Sequence, residues 1–518
     1  MNPIIELNSN SWYKDNNIYV TGFIIDKSGI FTKEGLCNRV VDFVNNPNQS
    51  ISGEFSCIIV EENQIIFLSD IIRSKPLFYT TKGNRLHISD ECYSIKSKQN
   101  YDLDKQAVKT FLHSGFTHNN LTLNSNILQV EAGTIVTLQN SKKEIFDYSR
   151  LQDVVLQHAK PEDLLAVLSE VFDDYIKILN GKRVAISLSG GYDSRLVLAM
   201  LHLKKYDNIS CFSHGRPTLS ELKNAEFITQ KLGINWHYIN YDNIFDSNIL
   251  TNDDFHNYCR YVSNDASMFF LKQFFPASYL ERKKIIHSNA IIIAGHTGDV
   301  LSGGHLKTFM NTSSFTQDSF VNHLINNHYI FYSNQKHLLK ILSSSLPEYD
   351  SIIPWLKYES WERKNRQAKF IVNSNRAYNY FGYETLIPLW DNRLVIFFKK
   401  LPFEQKSNCQ LYRHTLKKFV FKPLGINSLQ ETNPSSTQLG MQRIKEQIKK
   451  ILPKTVMNQF IKYADPYFYK EAIDLMALSG FDFIMPRQKN IWNAYLPQWY
   501  MHKEFNQSHS DIKGIIEN

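Results

Sequence analysis

Cysteine is scarce and scattered: six in 518 residues, at Cys37, Cys57, Cys92, Cys211, Cys259 and Cys409, with no Cys-x-x-Cys pair. That spacing argues against a zinc ribbon and against a disulfide framework. Long apolar runs are also missing. The longest, such as Ile285-Ile286 and Ala290 to Ala294, are too short to span a bilayer, so no membrane partner is expected. The opening Met-Asn-Pro-Ile-Ile-Glu-Leu-Asn has neither a basic leader nor an apolar h-region, so the expectation is a cytoplasmic, reduced protein. A strong charge of either sign is lacking: 58 basic and 50 acidic residues give +8, spread along the chain, and nucleic acid is not an expected partner. What remains is an ordinary globular composition, 43% hydrophobic and 21% charged, with length for two or three domains.

One stretch organises the rest: Arg183-Val-Ala-Ile-Ser-Leu-Ser189-Gly190-Gly191-Tyr192-Asp193-Ser194-Arg195. Val184 to Leu188 is an apolar run of the kind a buried parallel strand needs. The small residues after it lead into Leu196-Val-Leu-Ala-Met-Leu, the opening of a helix. Strand, glycine turn and helix start bring backbone N–H groups together on an anion. Asp193 is unsuited to gripping phosphate itself but suited to holding Mg²⁺ against it. The lysine of Gly-x-x-x-x-Gly-Lys-Ser/Thr is absent. The stretch instead resembles Ser-Gly-Gly-x-Asp-Ser, the PP-loop of ATP pyrophosphatases, which cleave ATP between the α- and β-phosphates.

A second run of this kind is Ile291-Ile-Ile-Ala294-Gly295-His296-Thr297-Gly298-Asp299, followed by Gly303-Gly304. It resembles Ser-Gly-Glu-Gly-Ser-Asp-Glu-x-x-Gly-Gly of asparagine synthetases without a gap. A third, Gly382-Tyr-Glu384-Thr-Leu-Ile-Pro388-Leu-Trp-Asp391, resembles that family's G-V-E-x-R-x-P-F-L-D, with Leu386 in place of the arginine. Toward the start, Ser52-Gly-Glu-Phe, Ser69-Asp70, Lys75-Pro76-Leu-Phe-Tyr79 and Ile88-Ser89-Asp90-Glu91 follow the order of that family's amino-terminal class II glutamine amidotransferase domain. Short β-branched runs separated by turns support a β-rich front part, with helices expected over Thr32 to Asn46 and Lys105 to Ser114.

The resemblance implies an α/β protein. Residues 1–150 would form an Ntn-hydrolase-like α+β sandwich, a degenerate amidotransferase type 2 domain. Residues 160–518 would form a doubly wound parallel-sheet PP-loop domain with a helical C-terminal extension. It also implies ATP and Mg²⁺ as cofactors. Ser187, Ser189, Gly190, Gly191, Asp193, Ser194 and Gly295 would contact ATP, with Ser213 and His214 beside the base and Asp193 and Asp299 on the metal. His296 stands where asparagine synthetases carry a glutamate and β-lactam synthetases a tyrosine, and Glu384 matches the glutamate that pairs with that tyrosine. A His296–Glu384 pair is the expected base and orienter, since histidine can take a proton near neutral pH. His305, His323, His328 and His337 fit no metal spacing and are expected on surfaces.

Two departures qualify the match. A glutaminase of this type uses a cysteine directly after the initiating methionine, and position 2 is Asn2, so glutamine hydrolysis is expected to be absent. The family's later Arg-x-Lys is missing as well; Arg443, Lys454 and Lys462 are candidate substitutes that the sequence does not choose among. The expected function is adenylation of a substrate carboxylate with release of pyrophosphate, then amide formation with ammonia or an amine. The partners are small molecules, among them peptides or sugar acids. The alternatives are a non-catalytic nucleotide-binding regulator, glutamine-dependent asparagine synthesis despite the missing cysteine, and a tRNA-modifying PP-loop enzyme.

Overall fold

The computed structural model describes residues 3–82, 85–98, 101–140, 142–150, 154–217, 220–244, 250, 253–312, 315–346, 353–427, 465–478, 480–488 and 491–517. Arg443, Lys454 and Lys462 lie outside them.

The front part is a sandwich of two sheets. Strands β1 (Ile4–Glu6), β2 (Tyr13–Asp15), β3 (Ile18–Asp26) and β4 (Gly29–Thr32) lead into helix α1 (Lys33–Asn45). They are followed by β5 (Ser52–Val60), β6 (Gln64–Ser69), β7 (Phe78–Thr80), β8 (His87–Ser89), helices α2 (Cys92–Lys96) and α3 (Lys105–Ser114), and β9 (Leu128–Gln129), β10 (Thr134–Gln139) and β11 (Lys142–Asp147). One sheet runs β11-β10-β6-β5-β3-β2 with β4 on β3; the other runs β1-β8-β7-β9. Strand alternation feeds two cores. Ile58, Ile65 and Phe67 point between the sheets to meet Tyr79 and Ile88, while Cys57, Ile59 and Leu68 point outward beneath Leu36, Val40 and Phe43 of α1. Strand β11, on the edge beyond β10, is exposed along nearly its whole length, and its Lys142-Lys-Glu opening carries no apolar signal.

The second part is a five-stranded parallel sheet. Helix α4 (Pro161–Leu179) packs Leu164, Leu168, Val171 and Phe172 inward, as its spacing predicts. Then come β12 (Val184–Ser187), α5 (Tyr192–Leu203), β13 (Ile209–Gly215), α6 (Ser220–Leu232), β14 (Asn235–Asn240), α7 (Asp253–Ser263), α8 (Leu271–Lys283), β15 (Ile291–Ala294) and, after a helical excursion, β16 (Glu384–Leu386). The order is β14-β13-β12-β15-β16, every pair parallel. Val184, Ile186, Ile291 and Ile293 enter a core on one face, and Ala185, Phe212 and Ile292 enter a core on the other, which makes the sheet doubly wound. The chain leaves β12 toward β13 and returns on its other side at β15. A ligand crevice therefore opens between the carboxyl ends of β12 and β15.

The two parts are joined by buried hydrogen bonds. Ser52 Oγ donates to Asp391 Oδ1 at 2.8 Å, and Glu54 Oε1 accepts the Ile387 N–H at 2.8 Å. Asp391 in turn caps the helix Asn392–Lys399 through the Arg393 N–H at 2.9 Å. Helices dominate the described chain beyond β16, as expected. No helix among the described residues is long and apolar enough to cross a membrane.

Candidate functional site

The crevice at the switch point is a cleft of about 220 Å³. Ser187 and Ser189 from the end of β12, Ser213 and His214 from β13, and Gly295 and His296 after β15 all line it. The parallel register explains the convergence: Ser187 lies opposite both Phe212 and Ala294, so the residues just beyond these strands emerge side by side.

The loop after β12 closes on itself. Ser194 Oγ accepts the Ser189 N–H at 3.2 Å and lies 3.2 Å from Ser189 Oγ, while Ser189 Oγ accepts the Gly191 N–H at 3.4 Å. Gly190 takes φ +72 with its Cα against α6: a Cβ there would lie 2.8 Å from the Glu221 carbonyl. Gly295 is pressed harder still. A Cβ on it would lie 2.1 Å from Ser194 Cα, so only glycine lets the two loops meet.

Asp193 and Asp299 are neighbours. The Asp299 N–H donates to Asp193 Oδ2 at 3.2 Å, and Tyr412 Oη–H donates to Asp193 Oδ1 at 2.8 Å. Burial, then the Asp299 charge, push the Asp193 carboxyl up to about 7. Two carboxylates brought together this way, one exposed to solvent, fit a hard divalent cation, which would relieve the repulsion between them. No group of three or more candidate metal ligands occurs among the described residues.

Thr297 shows what the departure from Gly-Ser entails. It holds φ +102 at the position where the asparagine synthetase motif has glycine, a conformation that β-branched residues rarely adopt. Buried packing fixes it there: Thr297 Oγ1 accepts the Trp390 indole N–H at 3.0 Å. The neighbouring Gly298 supplies room, since a Cβ on it would meet the Tyr412 hydroxyl at 2.2 Å.

The structure does not bring His296 and Glu384 together. Glu384 opens β16 and pairs in register with Ile291, at the amino end of β15, whereas His296 follows its carboxyl end. The strand between sets them on opposite edges of the sheet, about 10 Å apart along the strand axis alone. Glu384 is instead 71% exposed in a surface ion pair with Lys182 at 3.0 Å. His296 also differs from the near-neutral base expected. Burial pushes it down to about 4, and its Nε2 has no hydrogen-bond partner among the described residues.

Ser213 and His214 do lie in the cleft, though both carry structural bonds. Ser213 Oγ donates to the Leu188 carbonyl at 2.5 Å and accepts the Trp236 indole N–H at 2.9 Å. His214 stacks on Tyr241, with its Nδ1 3.0 Å from the hydroxyl, and burial lowers it to about 3. Not all of the histidines expected on surfaces are there. His337 is exposed, but His328 is buried with Nε2 3.0 Å from the Tyr358 hydroxyl, and His305 pairs with buried Glu362 at 2.5 Å.

Sequence reading missed part of the wall. The helix begun at Pro354 widens into a π-helical stretch over Arg363–Ile371 and tightens to 3-10 over Val372–Asn375, delivering Ser374 and Asn375 to the cleft. Asn375 Oδ1 is buried without a partner among the described residues. Tyr378, bonded to Ser187, stands on the same wall with Lys272 and Tyr467. The only trace of Ser374 and Asn375 in the sequence is the polar run Asn373-Ser-Asn375.

Comparison with known proteins agrees with this architecture. Residues 170–425 match the asparagine synthase family and residues 38–149 the glutamine amidotransferase domain. No curated protein sequence matches the chain. Among solved structures, it is similar to an NH3-dependent NAD synthetase from Campylobacter jejuni subsp. jejuni NCTC 11168 in complex with the nitrate ion, at 15% identity and TM-score 0.21 over 38% of this chain and 94% of that one. It is also similar to a glutamine-dependent NAD+ synthetase from Acinetobacter baumannii in complex with ADP, at 12% identity and TM-score 0.20 over 49% of this chain and 53% of that one. A third is a glutamine phosphoribosylpyrophosphate amidotransferase from B. subtilis, at 8% identity and TM-score 0.18 over 55% of this chain and 63% of that one. The chain thus spans about half the length of the second relative and less than two thirds of the third. With both domain types matched in one polypeptide, the chain belongs to the asparagine synthetase-like family.

Proposed function

We propose that the chain is an ATP-dependent carbon–nitrogen ligase that adenylates a substrate carboxylate and then forms an amide with ammonia or an amine, without hydrolysing glutamine. Residues 1–150 are read as an amidotransferase-type domain without glutaminase chemistry, and 160–518 as the synthetase domain. The observation that carries the reading is the meeting of the Ser189–Ser194 loop with Gly295–Asp299 at the switch point, with Asp193 and Asp299 side by side.

In the first step a carboxylate oxygen attacks the α-phosphorus of ATP, the bond to the β-phosphate oxygen breaks, and pyrophosphate leaves. The loop N–H groups and the start of α5 favour that anion, and the two aspartates would hold the metal. Mg²⁺ bound there would neutralise the charge developing on the leaving group. In the second step the nitrogen attacks the acyl carbon, AMP leaves, and one proton is lost from nitrogen. His296, neutral and with Nε2 unpartnered, is in the form that accepts it. Asn375 lines the same cleft, with its Oδ1 also without a partner among the described residues.

Absence of glutamine hydrolysis is supported by the thiols of the front part. Cys37, Cys57 and Cys92 are all buried, and burial pushes each thiol up, away from the thiolate a nucleophile needs. ATP–pyrophosphate exchange across a panel of amino acids, peptides and uronic acids tests the reading. Stimulation by one acid, lost in Asp193→Ala, is expected; no exchange with any acid, or exchange that survives the substitution, would overturn it.

A further inference from the structure

The described lining of the cleft includes one cationic side chain, Lys272. It sits half-buried in the first turn of α8, with its Nζ 4.1 Å from the centroid of the Tyr467 ring. Among the described residues no carboxylate pairs with this ammonium and no acceptor bonds it; Glu221, the one acid on the described wall, is not its partner. An ammonium drawn out of water without a counter-charge is costly, and an aromatic face offsets only part of that cost.

The ring beneath Lys272 is held with care. Tyr467 belongs to the segment that leads into the helix Tyr469–Ala477, beyond residue 425, where the asparagine synthase match ends. Arg216, directly after β13, fastens that segment to the sheet. Its N–H donates to the Pro466 carbonyl at 2.9 Å, its guanidinium donates to the Asp465 carbonyl at 2.7 Å and pairs with Glu471 at 2.6 Å, and its carbon lies 3.6 Å from the Phe468 ring centroid. A residue remote in sequence is thereby fixed against the same strand end that carries Ser213 and His214.

We propose that Lys272, steadied on the ring of Tyr467, takes the α-phosphate of the nucleotide bound in this cleft, with Tyr467 as its positioning residue. The proposal rests on the adenylating reading. Phosphate is favoured because the surrounding groups, the hydroxyls of Ser187 and Ser189 and the backbone at Gly295, can serve several oxygens at once. Lys272 then supplies the positive charge that the loop itself, lacking a lysine, does not.

The test is calorimetric titration of the full chain with AMP and, separately, with adenosine. Lys272→Gln should weaken AMP about 10-fold or more and leave adenosine unchanged, since charge-assisted bonds are the stronger ones. Lys272→Arg should recover most of the loss, Tyr467→Phe should bind AMP as the wild type does, and Tyr467→Leu should weaken AMP but not adenosine. Unchanged AMP affinity in Lys272→Gln, or a parallel loss of adenosine, would overturn the proposal while leaving the nucleotide reading intact. A wild-type chain that binds neither ligand would bring down the reading itself.

Discussion

The hydroxyl of Tyr412 donates to Asp193 Oδ1 at 2.8 Å, tying a helix near the end of the asparagine synthase match to the acid at the start of α5. A group that orients a metal carboxylate from outside contributes roughly 10- to 100-fold to metal affinity. Tyr412→Phe should therefore weaken Mg²⁺-dependent ATP binding by about 10-fold and leave metal-free nucleotide binding unchanged. Calorimetry with and without Mg²⁺ separates the two; equal losses in both conditions would remove Tyr412 from any metal role.

The Asp193 carboxyl carries a pH signature. Its native value, raised by burial and then by Asp299 to about 7 from 3.8, means the folded state keeps a proton that the unfolded chain has released. Stability contributed by this group therefore falls as pH rises from 3.8 through about 7. Without Mg²⁺, Asp193→Asn should melt above the wild type, by a margin that grows from mildly acidic to neutral buffer and then levels off. Added Mg²⁺ should close the gap from the wild-type side. A margin that does not change with pH would contradict the shift.

Gly295→Ala places a methyl group where Ser194 Cα already lies, 2.1 Å away. Overpacking of this kind costs about 1–3 kcal/mol, and relief requires the Ser189–Ser194 loop to move. The variant should lose nucleotide affinity along with stability, read by titration beside thermal melting. A stable variant with wild-type ATP affinity would show that the two loops can part freely.

His296 and Glu384 should behave as unrelated residues. His296→Ala is expected to slow amide formation by about 10²–10⁴-fold while pyrophosphate exchange survives. Glu384→Gln should leave both steps intact and change stability by less than about 1 kcal/mol, as expected of an exposed ion pair. A matching loss in the two variants, followed by quenched-flow assay of each half-reaction, would restore the pair.

Incubation with glutamine should release no glutamate, and Cys37→Ser, Cys57→Ser or Cys92→Ser should leave ammonia-dependent amidation unchanged wherever the variant folds. Glutamate formation that one of these substitutions removes would reverse the reading of the front part.

The sequence exposes the loops of the site far better than its walls. Ser187 to Ser194 and Ala294 to Asp299 follow β-branched runs directly, so a parallel strand pair delivers them to one edge and their proximity can be read from the pattern alone. Glu384 misled because it opens its strand: in a parallel sheet a residue at the amino end lies away from the crevice, whatever motif surrounds it. Asn375 reaches the cleft through a change of helical pitch, which no hydrophobic period records. Tyr467 arrives by tertiary docking on Arg216 across hundreds of residues, and local sequence carries no sign of that. Strand β11 was hidden by its charge, since an edge strand exposed along nearly its whole length need not look apolar.

The bonds from Ser52 to Asp391 and from Ile387 to Glu54 bear on how such a protein can change over time. They run from the start of β5 to residues that follow β16. Replacing Ser52 or Glu54 by an apolar residue of similar size would strand the buried partner, at about 1–3 kcal/mol for each group left unsatisfied. The front part thus acts as a keel whatever its own chemistry: its central strand is bound to the residues that follow the last strand of the second sheet.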